Sequence, residues 1–328
     1  MTRIAVIGAG IAGLSIAHLL KDHADIELFE KARGVGGRMS TRRAEPYFFD
    51  HGAQYFTART KPFQNFIHPL ITEGVIARWD ARYVKFKKNK IIASSNWIEE
   101  EPRYTGVPGM NHAAKFLAQG LNVHINTKIS SLKNEGTWKL IDDKNQQYSG
   151  FDWVICTAPA PQSSALFPES FKYYADIKSV EMLACFSLML GFEHSFPIEF
   201  DAAHVTGSDV SWIAVNNNKP KHPGPLTLVI HSSSEYAQEH IDDDREQVMQ
   251  HLIKETSSIL GYNISAACYK NIHGWRYANN TDQNQKKSVF LDLKNKLGAC
   301  GDWCCGGRIE GAFTSAYELT QKMKENNL

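Results

Sequence analysis

The sequence predicts an α/β fold in which a Rossmann-like dinucleotide-binding domain is interrupted by an inserted α+β domain built on a mixed β-sheet. Three observations lead to this prediction. Residues 3–31 read as strand, helix and strand around three spaced glycines, residues 165–290 contain long β-type runs, and residues 298–324 return to a strand, a glycine-rich turn and a helix. A chain of 328 residues is long enough for two such domains.

The first predicted element is a strand over residues 4–7, followed by Gly8, Gly10 and Gly13 and by an apolar helical run to residue 20. This G-x-G-x-x-G spacing between a strand and a helix is typical of a dinucleotide clasp. We expect Gly8 to allow a tight turn, Gly10 to let a pyrophosphate approach the backbone, and Gly13 to let the helix lie close to the sheet. The free amides and the dipole of the helix N-terminus favour a bound phosphate.

The second predicted strand, residues 26–29, ends on Glu30, which lies seventeen residues after Gly13. A carboxylate at this position accepts hydrogen bonds from the adenosine ribose hydroxyls and repels a 2′-phosphate. A membrane span is disfavoured because residues 4–20 are fewer than the ~20 apolar residues that a span needs and contain the spaced glycines. A signal peptide is disfavoured because no basic segment precedes the apolar run, so we expect a cytoplasmic protein.

Composition and charge exclude several classes of partner. The chain is 43% hydrophobic and 22% charged, which is ordinary for a globular protein. Its formal net charge of +1 gives no electrostatic reason to expect nucleic acid or an anionic membrane as a partner. The basic run over residues 85–90 is expected to form a solvated hairpin turn. The six cysteines include no C-x-x-C pair, so we expect reduced thiols and no metal site.

The remaining elements follow in an order that predicts a discontinuous nucleotide-binding domain. In sequence we expect a helix and strands over 62–100, a helix over 109–119, a strand over 121–125, a hairpin over 137–149, strands over 151–156, 186–192 and 226–230, and helices over 242–260 and 312–324. The nucleotide-binding domain is predicted to comprise residues 1–62, 104–162 and 290–328. The substrate domain is predicted to comprise residues 63–103 and 163–289.

Motifs that match one known family are spread from the first strand to the last helix. They are residues 8–13, Glu30-Lys31, Gly36-Gly37-Arg38-Met39, residues 50–57, Trp275-Arg276-Tyr277-Ala278, Gly301-Asp302 and residues 310–316. On these motifs the chain resembles the flavin-containing amine oxidase superfamily and, within it, the bacterial type of renalase-like flavoprotein. The resemblance implies an amine oxidase-like two-domain architecture, with an FAD-binding domain and a substrate domain.

The resemblance also implies that FAD is bound non-covalently. It implies that Ala12 lies at the pyrophosphate, Arg38 near the phosphates, Ile129 at the adenine and Asp302 at a ribityl or phosphate oxygen. The helix from Gly311 onward is expected to point its N-terminus at the flavin, because its dipole would stabilise the reduced ring. The full set of implied cofactor-binding residues is Gly8, Gly10, Ile11, Ala12, Gly13, Glu30, Lys31, Gly37, Arg38, Met39, Ala53, Gln54, Ile129, Asp302, Glu310, Gly311 and Ala312.

The reaction implied by the resemblance is hydride transfer from a C–H bond next to nitrogen onto flavin N5, with reoxidation by O2 to H2O2. For renalase-like enzymes the implied substrates are dihydro-NAD(P) isomers reduced at ring position 2 or 6. Such a reaction needs positioning more than acid–base help, and no Ser-His-Asp or Cys-His arrangement is evident. The candidate residues for contact with substrate are Tyr55, His231, Trp275, Arg276 and Tyr277.

Two other interpretations stay open on the sequence. One is a flavin amine oxidase that acts on small amines or polyamines, and the other is a flavin-binding protein without catalytic activity. An NADPH-dependent monooxygenase is disfavoured because the sequence shows no second nucleotide clasp. Cys304 and Cys305 lie near the C-terminal motif, but the residues around them do not match the attachment pattern of members with covalent flavin.

Overall fold

The computed structural model describes residues 1–98, 100–281 and 288–328. The chain forms two compact units. The first comprises Met1–Arg38, Ala114–Met182 and Asn279–Leu328, and the second comprises Met39–Ala113 and Leu183–Ala278. In the part of the chain that is described, no helix is both long enough and apolar enough to cross a membrane.

The secondary structure of the described residues follows the predicted order of elements. The strands are β1 Thr2–Ile7, β2 Ala24–Phe29, β3 Arg42–Ala44, β4 Tyr47–Phe49, β5 Ile76–Arg78, β6 Arg82–Lys87, β7 Lys90–Asn96, β8 Tyr104–Gly106, β9 Asn122–His124, β10 Ile129–Asn134, β11 Trp138–Asp142, β12 Gln147–Phe151, β13 Trp153–Cys156, β14 Met182–Gly191, β15 Ala202–Thr206, β16 Val210–Val215, β17 Thr227–Ser232, β18 Tyr269–Asn280, β19 Phe290–Asp292 and β20 Leu297–Ala299. The α-helices are α1 Ile11–Leu20, α2 Lys61–Thr72, α3 Asn111–Leu117, α4 Ala160–Leu166, α5 Tyr174–Lys178, α6 Ser234–His240, α7 Arg245–Leu260 and α8 Arg308–Glu325.

The first unit contains a six-stranded sheet in the order β19-β20-β13-β1-β2-β9. Strand β1 pairs in parallel with both β2 and β13, and β20 extends the parallel set on the far side of β13. All residues of β13 are buried, as are the last four of β1, because the central strands of a parallel sheet are covered on both faces. This confirms the Rossmann-like fold that the first 31 residues predict.

Two further features complete the first unit. Strands β10, β11 and β12 form a separate antiparallel sheet, which accounts for the predicted hairpin. Helices α1 and α8 pack against each other, so the two ends of the chain share one layer. The predicted last helix is confirmed, but it begins at Arg308 rather than near Ala312.

The second unit contains a seven-stranded sheet in the order β18-β14-β17-β16-β15-β6-β7. Strand β17 pairs antiparallel with β14 and β16, as do β15 with β16 and β6 with β7, whereas β6 and β15 run parallel, so the predicted mixed β-sheet is confirmed. One face is a continuous apolar layer, in which strand side chains such as Phe186 and Ile230 pack with Leu252 and Ile253 of α7. The basic run over residues 85–90 turns between β6 and β7, as predicted.

The compact units divide the chain at different points from the predicted domains. Residues 39–62 belong to the second unit, because the Asp50 main-chain amide and carboxylate bond to Asn216 and Lys219 of that unit. Residues 104–113 belong there as well, since the Met110 amide donates to Asp50. Assigning one part of the chain to the cofactor and the other to the substrate stays a prediction.

Candidate active site

The glycine turn before α1 leaves open space where a phosphate could lie. Gly10 has extended backbone geometry at the helix N-terminus, and a Cβ built on it would meet no heavy atom within 4 Å. A Cβ on Gly13 would instead lie 2.0 Å from the Gly8 carbonyl oxygen, so this glycine lets α1 lie close to β1. Gly8 has a φ of +107°, which a residue with a side chain rarely adopts. Ile11 and Ala12 form the first turn of the helix.

Glu30, which follows β2, is hydrogen-bonded to the glycine turn. Its carboxylate accepts hydrogen bonds from the amide of Ala9 at 2.9 Å and from the amide of Ala32 at 2.8 Å, and the residue is 6% exposed. The Gly36 amide donates to the Ala9 carbonyl at 2.8 Å, so the second glycine-rich segment lies against the first. An ionised carboxylate has about four acceptor sites, so these two amides do not use the full acceptor capacity of Glu30.

Arg38 and Asp302 form a bidentate ion pair although 264 residues separate them in sequence. The two N–H···O distances are 2.8 and 2.5 Å, and both residues belong to the first unit. The resemblance implies that both residues contact the cofactor, and the structure brings the two side chains together. Gly37, just before Arg38, has a φ of +54°, whereas Met39 is buried in the second unit.

The N-terminus of α8 is set by two glycines with positive φ. Gly306 and Gly307 have φ values of +74° and +78°, and they turn the chain so that the helix begins at Arg308. Gly311 therefore lies inside the helix, where a Cβ would approach the Cys305 carbonyl oxygen to 2.6 Å. The expectation that the helix starts at Gly311 or Ala312 is wrong because these glycines turn the chain earlier.

The other residues that the resemblance assigns to the cofactor in the first unit are more dispersed. Glu310 lies in the first turn of α8, and Ala312, two residues later, is buried. The Lys31 ammonium donates to the Gln162 side-chain oxygen at 3.0 Å on the surface. Ile129 opens β10 and is 8% exposed.

In the second unit, Asp50 is a fully buried carboxylate with four donors. One oxygen accepts from the Thr41 hydroxyl at 2.7 Å and from the Met110 amide at 2.8 Å. The other lies 3.2 Å from the Lys219 ammonium and 2.7 Å from Nε2 of His222. Burial alone would raise the pKa of Asp50, but Lys219 and His222 outweigh it and hold this pKa below its ordinary value.

Lys219 is the fully buried cation of this cluster. Besides Asp50, its ammonium donates to the Gln54 side-chain oxygen at 3.2 Å, and it lies 5.3 Å from the centre of the Trp79 ring. Burial lowers the pKa of Lys219, and the neighbouring Asp50 carboxylate opposes that change. A cation can be kept in such a place only if it is paired and hydrogen-bonded, as this one is.

Gln54 connects Lys219 to His231. The Gln54 side-chain nitrogen lies 3.1 Å from the Gly52 carbonyl oxygen and 3.4 Å from Nε2 of His231. Burial, with the positive charge of Lys219 and the nearby His51, lowers the pKa of His231 to about 3. His231 is therefore uncharged at neutral pH. The structure thus brings together two of the predicted site residues, Gln54 and His231; the residue before Gln54, Ala53, is partly buried.

Trp275 packs on His51 rather than standing alone. Its indole N–H donates to the His51 carbonyl at 2.8 Å, and the two rings stack with centroids 5.4 Å apart. His273 meets the Trp275 ring edge-on at 4.3 Å. Burial, His273 and Arg42 lower the pKa of His51 to about 4. Among the described residues, Nδ1 of His51 is a buried atom with no hydrogen-bond partner.

The remaining candidates for substrate contact differ in their surroundings. Tyr55 lies in an aromatic cluster, 4.7 Å from the Trp97 ring and 5.7 Å from the Trp212 ring. The Arg276 guanidinium is exposed and pairs with the Asp242 carboxylate. Tyr277 is partly buried.

Sequence reasoning missed Lys219 and His222. Both lie in the loop between β16 and β17, where asparagine and proline residues indicate only a turn. Asp50 belongs to the motif over residues 50–57, but nothing in this motif shows that a lysine 169 residues later would pair with it. Only the burial of Lys219 in the folded chain reveals its role.

The described residues contain no metal-binding cluster, and the two cysteines near the C-terminal motif are protonated. Within residues 1–98, 100–281 and 288–328, no three His, Cys, Asp or Glu side chains are placed to share a metal ion. Cys304 is buried and its pKa is raised well above the ordinary value by burial. Burial, Glu318 and Asp302 raise the pKa of Cys305 to about 12, so neither sulfur is a thiolate at neutral pH.

Comparison with known proteins gives matches along nearly the whole chain. The family described as NAD(P)-binding Rossmann-like domain matches residues 6–70, and the family described as flavin containing amine oxidoreductase matches residues 71–323. The chain is 24% identical to renalase of Mus musculus over an alignment of 355 positions, which covers 99% of each chain. It is also similar in fold to a putrescine oxidase solved with putrescine bound, with a TM-score of 0.69, 11% identity and 99% of each chain covered.

Proposed function

The chain belongs to the flavin containing amine oxidoreductase family and is a flavin-dependent oxidoreductase, and on that premise we propose that it uses FAD to oxidise a dihydronicotinamide nucleotide. The substrate would be an isomer of NAD(P)H reduced at ring position 2 or 6. Bound FAD supplies a hydride acceptor at N5, and O2 then takes up the two electrons with two protons to give H2O2. The chain itself has to bind the substrate, orient it and exclude competing substrates.

FAD fits the residues of the first unit. The open space at Gly10 and the N-terminus of α1 suit a pyrophosphate. The Glu30 carboxylate keeps acceptor sites for the hydroxyls of an adenosine ribose, and FMN has no adenosine to place there. We propose that Arg38 and Asp302 act as one unit beside the phosphates, because their ion pair fixes the guanidinium in place.

The substrate proposal depends mainly on the hydrogen bonds that surround the buried Asp50 carboxylate. Its carboxylate is buried and has four donors, including the Lys219 ammonium, so it has no capacity left for an ammonium group of a substrate. The nearby His231 is uncharged. A dihydropyridine ring with a neutral carboxamide suits this cluster, whereas an amine cation would find the Asp50 carboxylate already paired with Lys219.

No catalytic base is required for this reaction. Loss of hydride from position 2 or 6 restores an aromatic pyridinium ring, so no proton leaves the substrate. The depressed pKa values of His51 and His231 agree with this requirement, because both rings are uncharged and hydrogen-bond without taking up a proton at neutral pH. We propose that His231 and Trp275 position the ring, since a donor carbon about 3–3.5 Å from its acceptor reacts fastest.

An amine oxidase is the second candidate function, and the aromatic cluster of the second unit favours it. Tyr55, Tyr83, Trp97 and Trp212 lie with neighbouring ring centroids 4.7–6.4 Å apart. Aromatic faces attract ammonium groups through cation–π interactions. The Arg103 guanidinium lies 4.6 Å from the centre of the Trp97 ring, so it already makes a cation–π interaction with one ring of this cluster.

The cofactor is tested by acid precipitation of the purified protein, followed by chromatography of the supernatant. We expect FAD in the supernatant, and the same result for Cys305→Ser, because the thiol takes no part in binding. FMN in the supernatant, or flavin that stays with the precipitated polypeptide, would contradict the proposal.

The substrate class is tested by measuring H2O2 release in air. We expect one H2O2 for each NAD(P)⁺ formed from the 2- and 6-dihydro isomers, and none from putrescine, other polyamines or monoamines. The ordinary 4-dihydro form serves as the control for non-specific reduction. Peroxide from amines alone would support the second candidate, and a yellow protein inert to the whole panel would support a non-catalytic role.

A further inference from the structure

The Gln54 side-chain amide has an orientation that its surroundings determine. Its oxygen faces the Lys219 ammonium at 3.2 Å, and an ammonium group can only donate hydrogen bonds. Its nitrogen faces the main-chain carbonyl oxygens of Asp50 and Gly52, which can only accept. Exchanging the oxygen and nitrogen of Gln54 would place like groups against each other on both sides. The amide nitrogen therefore points away from Lys219.

This orientation has a consequence for His231. The Gln54 nitrogen lies 3.4 Å from Nε2 of His231, and an amide nitrogen donates but does not accept. The two amide hydrogens of Gln54 face the carbonyl oxygens of Asp50 and Gly52, and the one directed at Gly52 is shared with Nε2 of His231. A proton on Nε2 would oppose this N–H group, so the neutral imidazole carries its single proton on the other nitrogen, Nδ1.

We propose that Gln54 is a positioning residue that fixes His231 as the Nδ1–H tautomer, so that His231 donates a hydrogen bond to a carbonyl oxygen of the substrate. The proposal rests on the proposed function for the identity of that carbonyl, the carboxamide of a dihydronicotinamide. Within the described residues, Nδ1 of His231 has no hydrogen-bond partner, and it is not among the buried atoms that lack one. It is therefore accessible to a ligand.

The groups behind Gln54 make this arrangement rigid. Lys219 is held by Asp50, which is held in turn by Thr41 and Met110, and the side chains of Lys219 and Asp50 are completely buried. The charged or titratable groups that act on His231 are Lys219 and His51, and both disfavour a second proton on the ring. His231 thus keeps one proton over the neutral range, with its position set by Gln54.

A donor at this position would select substrates by chemistry. A carboxamide oxygen accepts from Nδ1–H, whereas an ammonium group offers only donors and would face another donor. Sites built around a hydrogen bond reject analogues that cannot make it, because the buried partner is left unpaired. The tautomer of His231 would therefore contribute to the discrimination against amines that the proposed function requires.

The direct test is the ¹⁵N NMR spectrum of the wild-type holoenzyme labelled at histidine, with the His231 signals identified by their absence from His231→Gln. We expect Nδ1 to give the shift of a protonated nitrogen and Nε2 the shift of a bare one. The opposite assignment, or a doubly protonated ring at neutral pH, would overturn the proposal. This measurement needs no variant at Gln54 to fold.

Gln54→Glu provides the second test, because a carboxylate accepts where the amide donates. We expect the two ¹⁵N shifts of His231 to exchange, and KM for the dihydronicotinamide to rise about tenfold with a smaller change in kcat. The matched control is Gln64→Glu, since Gln64 also donates to a main-chain carbonyl but at the surface. Unchanged His231 shifts in a folded Gln54→Glu variant would refute the role of Gln54.

These results separate the two proposals. If the wild-type spectrum shows the Nδ1–H tautomer but no dihydronicotinamide is oxidised, the positioning role of Gln54 stands and the substrate assignment fails. If dihydronicotinamides are oxidised but His231 carries its proton on Nε2, the function stands and the role of Gln54 fails.

Discussion

A buried lysine organises the polar interior of the second unit. Lys219 links the Asp50 carboxylate to the Gln54 amide, and through Gln54 it influences His231. Removing one member of a buried pair leaves an uncompensated charge, which costs more than the pair itself contributes. The Asp50–Lys219 pair is therefore expected to affect stability mainly through the cost of losing one partner.

Lys219→Met is expected to destabilise the protein by about 3–5 kcal/mol, because Asp50 would remain buried without its cation. The double variant Asp50→Asn with Lys219→Met should lose less than the sum of the two single variants. Urea denaturation measures both. Lys139→Met is the control, since Lys139 pairs with Glu135 at the surface and should cost little. Equal effects of the two lysine variants would show that the buried pair is unimportant.

His51→Gln is expected to make stability less sensitive to acid. The pKa of His51 falls from 6.5 to about 4 in the folded chain, so between these values the unfolded chain binds one more proton. The stability that the folded chain gains from its unprotonated His51 is fully present above pH 6.5 and is lost as the pH falls towards 4. The variant should reduce the slope of unfolding free energy against pH by about 1.4 kcal/mol per unit in this window.

The measurement for His51→Gln is urea denaturation at several pH values between 4 and 7. His68→Gln, which removes an exposed histidine of α2, controls for the loss of an imidazole elsewhere. A slope identical to that of the wild type would contradict the assignment.

Local contacts are easier to anticipate from the sequence than distant ones, and the role of Glu30 at a ribose stays a prediction. Glu30 lies beside the glycine turn because both belong to one strand–helix–strand unit, and its bond to Ala9 spans only 21 residues. The contact between Lys219 and Gln54 spans 165 residues and has no periodicity, motif or spacing that would reveal it.

At the scale of single elements, two glycines near the start of α1 are needed for different reasons. Gly13 is required by packing, because a Cβ there would collide with the Gly8 carbonyl. Gly10 faces open space, so packing gives no reason for a glycine at this position. The close approach of a ligand to the main chain would explain the glycine at position 10.

Gly10→Ala is therefore expected to fold like the wild type but to bind FAD much more weakly, whereas Gly13→Ala should be destabilised with or without cofactor. Thermal denaturation of the protein with and without flavin, together with the flavin content after purification, measures both effects. Full flavin occupancy in Gly10→Ala would contradict the proposed position of the pyrophosphate.

Element boundaries show where sequence patterns are less exact. The helix over residues 242–260 is confirmed as Arg245–Leu260, where Asp244 caps the N-terminus and Gly261 ends the helix with a φ of +71°. The last helix starts earlier than predicted because Gly306 and Gly307 turn the chain into it, and glycines before a helix usually indicate a loop.

At the scale of the whole molecule, the fold class follows from the sequence more readily than the division of the chain. A β-α-β unit at one end and a strand–turn–helix at the other predict a discontinuous nucleotide-binding fold. The segment over residues 39–62 follows the clasp directly and reads as part of it. The segment nevertheless belongs to the second unit, through contacts that only the folded chain reveals, such as the hydrogen bond from the Asp50 main-chain amide to the Asn216 side-chain oxygen.

The chemistry of the whole enzyme depends on residues that the glycine motif does not specify. The motif indicates a dinucleotide, the family match makes the protein a flavin-dependent oxidoreductase, and the buried cluster around Asp50 is the basis for the proposed substrate. Discrimination between a dihydronicotinamide and an amine is therefore the central claim.

Rapid anaerobic mixing of the oxidised holoenzyme with each substrate, followed at the visible flavin band, tests that claim most directly. We expect the band to bleach within single turnovers with the 2- and 6-dihydro isomers of NAD(P)H and to stay unchanged with putrescine and other amines. Rapid bleaching by amines, with none by the dihydronicotinamide isomers, would contradict the account.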